Sequence, residues 1–200
     1  SENTHVWVAN TRSGAAKQLV TGDYDDLHPC WSPDGNEIAF VSLRETDWRY
    51  RPEEQEIYRV PAHGGPIKTV RTPKGPKDGG ISYSPDGQSI AYIGHDQPYR
   101  GWGTVNSILN TVGINGKNHQ KIGRNLDRTS DLITLGDITP SFGVANTPIW
   151  SIDGKRIYYG ISNEGCQHIV EANLRAGKTR IVTADNTVAV SWSTGDGQTV

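Results

Sequence analysis

Trp31-Ser-Pro-Asp-Gly35, followed after Asn36 by Glu37-Ile-Ala-Phe-Val41, decides the fold, because the same arrangement recurs along the chain. Tyr83-Ser-Pro-Asp-Gly87 precedes Ser89-Ile-Ala-Tyr-Ile93, and Trp150-Ser-Ile-Asp-Gly154 precedes Arg156-Ile-Tyr-Tyr-Gly160. A stretched fourth copy is Trp192-Ser-Thr-Gly-Asp-Gly197. Each residue type has a reason to be there. Ser at the first turn position hydrogen-bonds locally, Pro presets φ at the second, Asp tolerates the third, and Gly takes the left-handed conformation that closes the turn. Between an aromatic and an alternating apolar run, this predicts a type I hairpin turn with a Gly bulge.

The copies start at 31, 83, 150 and 192, so the spacings are 52, 67 and 42 residues. Repeats of roughly 20 to 50 residues mark propellers or solenoids, and the shortest spacing fits one four-stranded propeller blade. The two longer ones then hold a blade plus insertions. The predicted fold is all-β: a β-propeller of four-stranded antiparallel blades.

Composition agrees once the pattern is considered. Only 34% of the 200 residues are hydrophobic, and mean hydropathy is −0.59, values that in a patternless chain would indicate disorder. Here the apolar residues gather in short alternating strands, and 23 Gly and 11 Pro supply the turns between them. A net charge of −2 with interspersed signs leaves no electrostatic footprint for nucleic acid or an anionic membrane. No run is long enough to span a bilayer, and no basic-then-apolar leader is present. The compartment stays open, with cytoplasmic favoured over periplasmic or secreted. Cys30 and Cys166 are the only cysteines; they read as buried free thiols, with a single bridge left open.

Strand parsing gives a partial blade over 1–22, blades over 28–72, 80–122 and 146–184, and a partial blade over 187–200. In the first full blade, the strands are expected at Pro29–Ser32, Glu37–Ser42, Glu56–Pro61 and Ile67–Arg71. In the second they are Ile81–Ser84, Ser89–Gly94, Ile108–Ile114 and Asn118–Ile122, the last after an Asn115-Gly116 turn. In the third they are Pro148–Ser151, Arg156–Ile161, His168–Ala172 and Thr179–Thr183. About four blades' worth is present. The end pieces either close a four-bladed ring or belong to an arc of a larger propeller; the arc is preferred because the sequence stops inside a strand, and since a truncated arc would expose unpaired edges, more chain is expected beyond Val200.

Strands of a blade, a to d in order, run alternately up and down, so parity sorts the loops. The a–b and c–d turns share one face, and the b–c and d–a connections share the other. All three long insertions, Leu43–Gln55, His95–Ser107 and Gly123–Thr147, fall on that second face. Long connections on a rigid scaffold are where binding usually resides. In the first, Glu53 and Glu54 are candidates to receive a peptide's amino group, with Arg49 or Arg51 holding carbonyls or a carboxylate. In the second, Trp102 is a candidate aromatic wall. The plainer reading of each takes precedence: a solvated charged loop for the first, a packed-down aromatic tuck for the second and ordinary surface loop for the third.

Catalytic and cofactor signatures are absent. There is no Gly-x-Ser-x-Gly elbow, no HExxH or His pair at ligand spacing, and no phosphate-binding Gly loop. Asp34, Asp86 and Asp153 belong to turns. The segment by itself is expected to catalyse nothing, to bind no metal and to need no cofactor.

The aromatic-Ser-Pro-Asp-Gly repeat followed by Ile-Ala-aromatic resembles the propeller repeats of TolB and of prolyl oligopeptidase family peptidases. Ile93-Gly-His-Asp-Gln-Pro-Tyr-Arg-Gly-Trp-Gly103, Asn125-Leu-Asp-Arg128, and Thr21-Gly-Asp-Tyr-Asp25 leading to His28-Pro29 look more like the acylaminoacyl-peptidase and dipeptidyl-peptidase branch. The resemblance implies a propeller that caps a C-terminal α/β-hydrolase domain beyond residue 200. There it would restrict access to a Ser-Asp-His triad, so that peptides or their acylated or free N-termini are the substrates. It carries no catalytic residue onto this chain. A TolB-like, non-enzymatic protein-binding scaffold is the alternative, and oligomeric state is not legible.

Overall fold

The computed structural model describes residues 3–45, 47, 50, 51, 53–100, 104–131 and 146–183. They form one two-stranded and three four-stranded antiparallel sheets, each in simple meander order. The two-stranded sheet is β1 (Trp7–Ala9) and β2 (Ala16–Gln18). The first four-stranded sheet is β3 (Asp26–Trp31), β4 (Glu37–Ser42), β5 (Glu56–Pro61) and β6 (Lys68–Val70). The second is β7 (Ile81–Tyr83), β8 (Ser89–Gly94), β9 (Ile108–Gly113) and β10 (Gln120–Ile122). The third is β11 (Ile149–Trp150), β12 (Arg156–Asn163), β13 (Cys166–Asn173) and β14 (Lys178–Ile181). This is the β-propeller architecture that the repeats predict. The fourth copy of the turn, and with it the 187–200 segment, lies outside the described residues.

The second strand of each sheet shows why the sequence folds this way. Successive side chains of a strand point to opposite faces, and a blade is sandwiched between neighbours, so both faces need apolar residues. From β4, Ile38 and Phe40 pack with Val6, Val20 and Val60, while Ala39 and Val41 pack with Ile81, Ile90 and Tyr92 of the next sheet. From β8, Ala91 and Ile93 face the third sheet's Ile157, Tyr159 and Ile161. Each gap between sheets has its own core, filled by alternate residues of one strand. Burying a single Ile or Val in such a gap contributes about 1.5–3 kcal/mol.

The repeated turn is held identically three times. The Ser32 hydroxyl donates to Asp34 (2.6 Å) and accepts the Glu37 N–H (2.9 Å). Ser84 does the same with Asp86 and Ser89, and Ser151 with Asp153 and Arg156. Gly35, Gly87 and Gly154 have φ of 70°, 69° and 66°, and each donates its N–H back to the Ser carbonyl, giving the type I turn with its Gly bulge. Asp does more than tolerate its position: it also accepts the N–H two residues on. The Ser32 hydroxyl and the Asn36 N–H hold the Asp34 carboxyl down at about 2, and Asp86 and Asp153 shift the same way for the same reason. A Cβ on Gly87 would touch Pro33, and one on Gly154 would touch Pro85, so consecutive turns lie side by side.

Three local differences have physical causes. β3 starts at Asp26 rather than Pro29, because a bulge between Leu27 and Cys30 lets the ladder continue past the proline, with His28 at φ 52°. β12 and β13 run further than the alternation predicts and close through Glu164-Gly165, both at positive φ. Cys30 and Cys166 are unbridged, and only partly buried; burial, opposed by backbone hydrogen bonding with Tyr83 and Ala39, pushes the Cys30 thiol up to about 12.

Candidate functional site

The first insertion is rooted by charged groups. At the entry of the first, Arg44 donates to the fully buried Asp26 carboxylate (2.5 Å), and His5 Nδ1 lies 3.0 Å from the same group. The guanidinium also sits 5.1–5.4 Å from the ring centroids of Tyr24, Phe40 and Tyr58. A planar, weakly hydrated cation suits such a box. At the exit, Glu54 is only 2% exposed and pairs with Lys74 at 2.6 Å and Arg51 at 3.6 Å. Lys74 also reaches Glu45 at 3.6 Å, so one ammonium ties the two ends of the loop together. Lys74 holds the Glu54 carboxyl below its ordinary range, and Glu54 raises Lys74 in turn.

Lys74 belongs to a connector, residues 73–79, that passes between the first and second insertions. Lys77 N–H donates to Gln55 Oε1 (2.7 Å) on one side, and Asp78 accepts from Ser107 on the other. The Lys77 side chain is fully buried, donates to the carbonyls of Pro73 (3.1 Å) and Gly75 (2.9 Å), and lies over the Tyr92 ring. Burial pushes its amine down to about 8. The connector comes so close to β8 that a Cβ on Gly94 would collide with the Pro76 carbonyl oxygen. Only glycine ends that strand without displacing backbone.

A cleft of about 350 Å³ opens beside this root, between the two ends of the second insertion and the connection after β10. Asp96 and Lys121 form an ion pair inside it, which keeps the Asp96 carboxyl below its usual range. Arg124 opens a single 3-10 turn, Arg124–Leu126, bracketed by left-handed Gly123 and Asp127, and Arg128 follows it. Arg128 is fixed by donating to Asn163 Oδ1 (2.9 Å) and to the Asp127 carbonyl (3.0 Å). Arg124 makes no hydrogen bond or ion pair among the described residues. Three cations thus face two carboxylates, Asp96 and Asp127. Among the described residues no three His, Cys, Asp or Glu come together as a metal would need.

Of the residues singled out from sequence, Arg51, Glu53 and Glu54 sit at the exit of the first insertion. Glu54 is occupied by Lys74 and Arg51; Glu53 is partly buried and makes no side-chain hydrogen bond or ion pair among the described residues. Arg49 and Trp102 lie outside the described residues. Sequence reasoning missed Lys74 and Lys77, because Pro73-Lys-Gly-Pro-Lys-Asp-Gly-Gly80 reads as a plain turn-rich linker. It singled out 93–103 and 125–128 separately; the fold brings parts of both to the same cleft.

No family model matches the chain. It is 33% identical over 91 residues to the uncharacterized peptidase YuxL of Bacillus subtilis, covering 45% of this chain and 13% of that protein. It is 25% identical over 192 residues to dipeptidyl-peptidase 5 of Porphyromonas gingivalis, covering 90% of this chain and 26% of that protein. The chain therefore spans about a quarter or less of the length of the curated relatives it matches. Its fold superposes on TolB of Acinetobacter baumannii with a TM-score of 0.63 at 17% identity, over 91% of this chain and 38% of that one. At that identity the likeness speaks for the fold. By fold the chain is a TolB-like β-propeller, and in sequence it is similar to peptidases.

Proposed function

We propose that this chain is the substrate-gating, non-catalytic propeller region of a serine peptidase that acts on peptides or on their acylated or free N-termini. One observation carries the reading: similarity to a dipeptidyl-peptidase runs through 90% of the chain. The gathering of the charged, one-off connections around a common root agrees with it. In this reading the catalytic α/β-hydrolase domain follows residue 200, and the insertions face the route to it. Glu53 receives the substrate's amino group, with the Glu54 charge behind it, and Arg49 and Arg51 hold carbonyls. Trp102 walls the route.

The test is hydrolysis of chromogenic aminoacyl substrates by the full-length protein. Cleavage should be abolished by a serine-directed reagent. Glu53→Gln should raise KM about tenfold for substrates with a free amino group and leave N-acylated ones unchanged, as expected for one lost charge-assisted hydrogen bond. Cleavage by the 200-residue segment alone would overturn the reading. So would a full-length protein with no hydrolase domain, which would favour the non-enzymatic scaffold.

A further inference from the structure

We propose that the cleft between the second insertion and the β10 connection is a carboxylate-binding site, with Arg124 and Arg128 as its two guanidinium donors. The peptide character of the ligand rests on the function proposed above; the carboxylate preference rests on the cleft itself. Lys121 is neutralised by Asp96, so it adds little free charge. Arg128 spends Nε and Nη1 on Asn163 and the Asp127 carbonyl, and these bonds fix the plane of the guanidinium. Its Nη2 makes no hydrogen bond among the described residues, and the side chain lines the cleft. Arg124 stands four residues earlier, across the 3-10 turn, with its whole fork unengaged among the described residues.

Two forks on one rim, one of them pre-oriented, suit a planar two-oxygen anion better than a neutral amide, because a carboxylate accepts parallel N–H bonds from a guanidinium. The Asp127 carboxylate, which accepts from Asn106 Nδ2 at 3.3 Å, also lines the cleft. Asp127 is left-handed, at φ 45°, a conformation Asp tolerates, and Arg128 follows it directly. The carboxylate is either a peptide's C-terminus or an Asp or Glu side chain, and the two are separated below.

Calorimetry on the full-length protein, pretreated with the serine-directed reagent, tests this with three peptides of one length. One ends in a free acid, one is its C-terminal amide, and one is the amide carrying an internal Asp. The free acid should bind about tenfold more tightly than the plain amide. The double variant Arg124→Gln/Arg128→Gln should abolish that advantage while leaving the amide's affinity and the unfolding temperature unchanged. If the internal-Asp amide matches the free acid, the site reads side chains; if it matches the plain amide, it reads chain ends. Equal binding of acid and amide, or an advantage that survives the double variant, overturns the proposal. Inorganic phosphate that binds while acid and amide are indistinguishable overturns it in favour of a phosphate site. Equal binding of acid and amide by a protein that, without the reagent, still cleaves peptides sinks the cleft alone. A protein that binds no peptide sinks the cleft and the gating reading together.

Discussion

In the third four-stranded sheet, β12 and β13 stay paired from Arg156↔Asn173 to Asn163↔Cys166 and reverse through Glu164-Gly165. In the second, β8 and β9 start in the same way but part after Gly94↔Ile108. The strands are alike in composition, so propensity does not explain the difference. What differs is the neighbour. Beside Gly94 the connector brings in the Pro76 carbonyl; at the position corresponding to Gly94, the third sheet has Ile161, a buried core residue. A ladder that is left alone closes on itself, and one met by another piece of backbone gives up its chain to the face where the cleft lies.

This contrast can be broken most severely at Gly94. Gly94→Ala puts a methyl group into the Pro76 carbonyl, with backbone on both sides of the clash, and should cost on the order of 4 kcal/mol, at the exceptional end for point mutants. Urea unfolding measures it. A loss under 1 kcal/mol would mean that the connector does not set where β8 stops.

Lys77 gives an intermediate effect with a pH signature. Lys77→Met leaves the Pro73 and Gly75 carbonyls without a donor and should cost about 1–3 kcal/mol. The native amine has a folded pKa of about 8, below its ordinary 10.5. Between those values the unfolded chain holds more protons than the folded one, so native stability should rise as pH increases through that window. A neutral amine still has two hydrogens for the two carbonyls. Unfolding midpoints at pH 7.5 and 10 should therefore diverge for the native protein and coincide, for this group's part, in Lys77→Met. A native midpoint that falls over the same window would refute the burial argument.

The smallest effect is a gain. Glu164 has φ 50° ahead of Gly165, a two-residue turn that favours Asn-Gly. Glu164→Asn should stabilise by about 0.5–1 kcal/mol, read as a rise in urea midpoint. No change would show that the tight hairpin is set by its strands alone.

These sites also show what was legible beforehand. β4 and β8 could be bounded to the residue, because Glu37-Ile-Ala-Phe-Val41 and Ser89-Ile-Ala-Tyr-Ile93 alternate large and small side chains for two different gaps, and the turn before each is marked four residues deep. Glu164-Gly165 was not legible, since Glu is a poor left-handed residue and only the long ladder on either side holds it there. Nor was the role of Lys77: a lysine between prolines and glycines looks solvated until the fold lays Tyr92 beneath it. Of the candidate site, Glu53 and Glu54 could be named together, yet only the position of Lys74 separates the engaged carboxylate from the one with no partner among the described residues. Periodicity reports what a residue shares with its repeats. The pins of the insertions are shared with nothing.

The side-by-side turns carry a consequence of another kind. Pro33 leans on Gly87, and Pro85 on Gly154, so the trailing half of one turn is cut to receive the leading half of the one before. A unit that carries the proline form of the motif, as the first two copies do, can abut the next copy's glycine through the same small joint. Gene duplication can therefore lengthen or shorten such a chain by whole units without inventing a new interface, while each unit's outer loops drift independently toward new ligands.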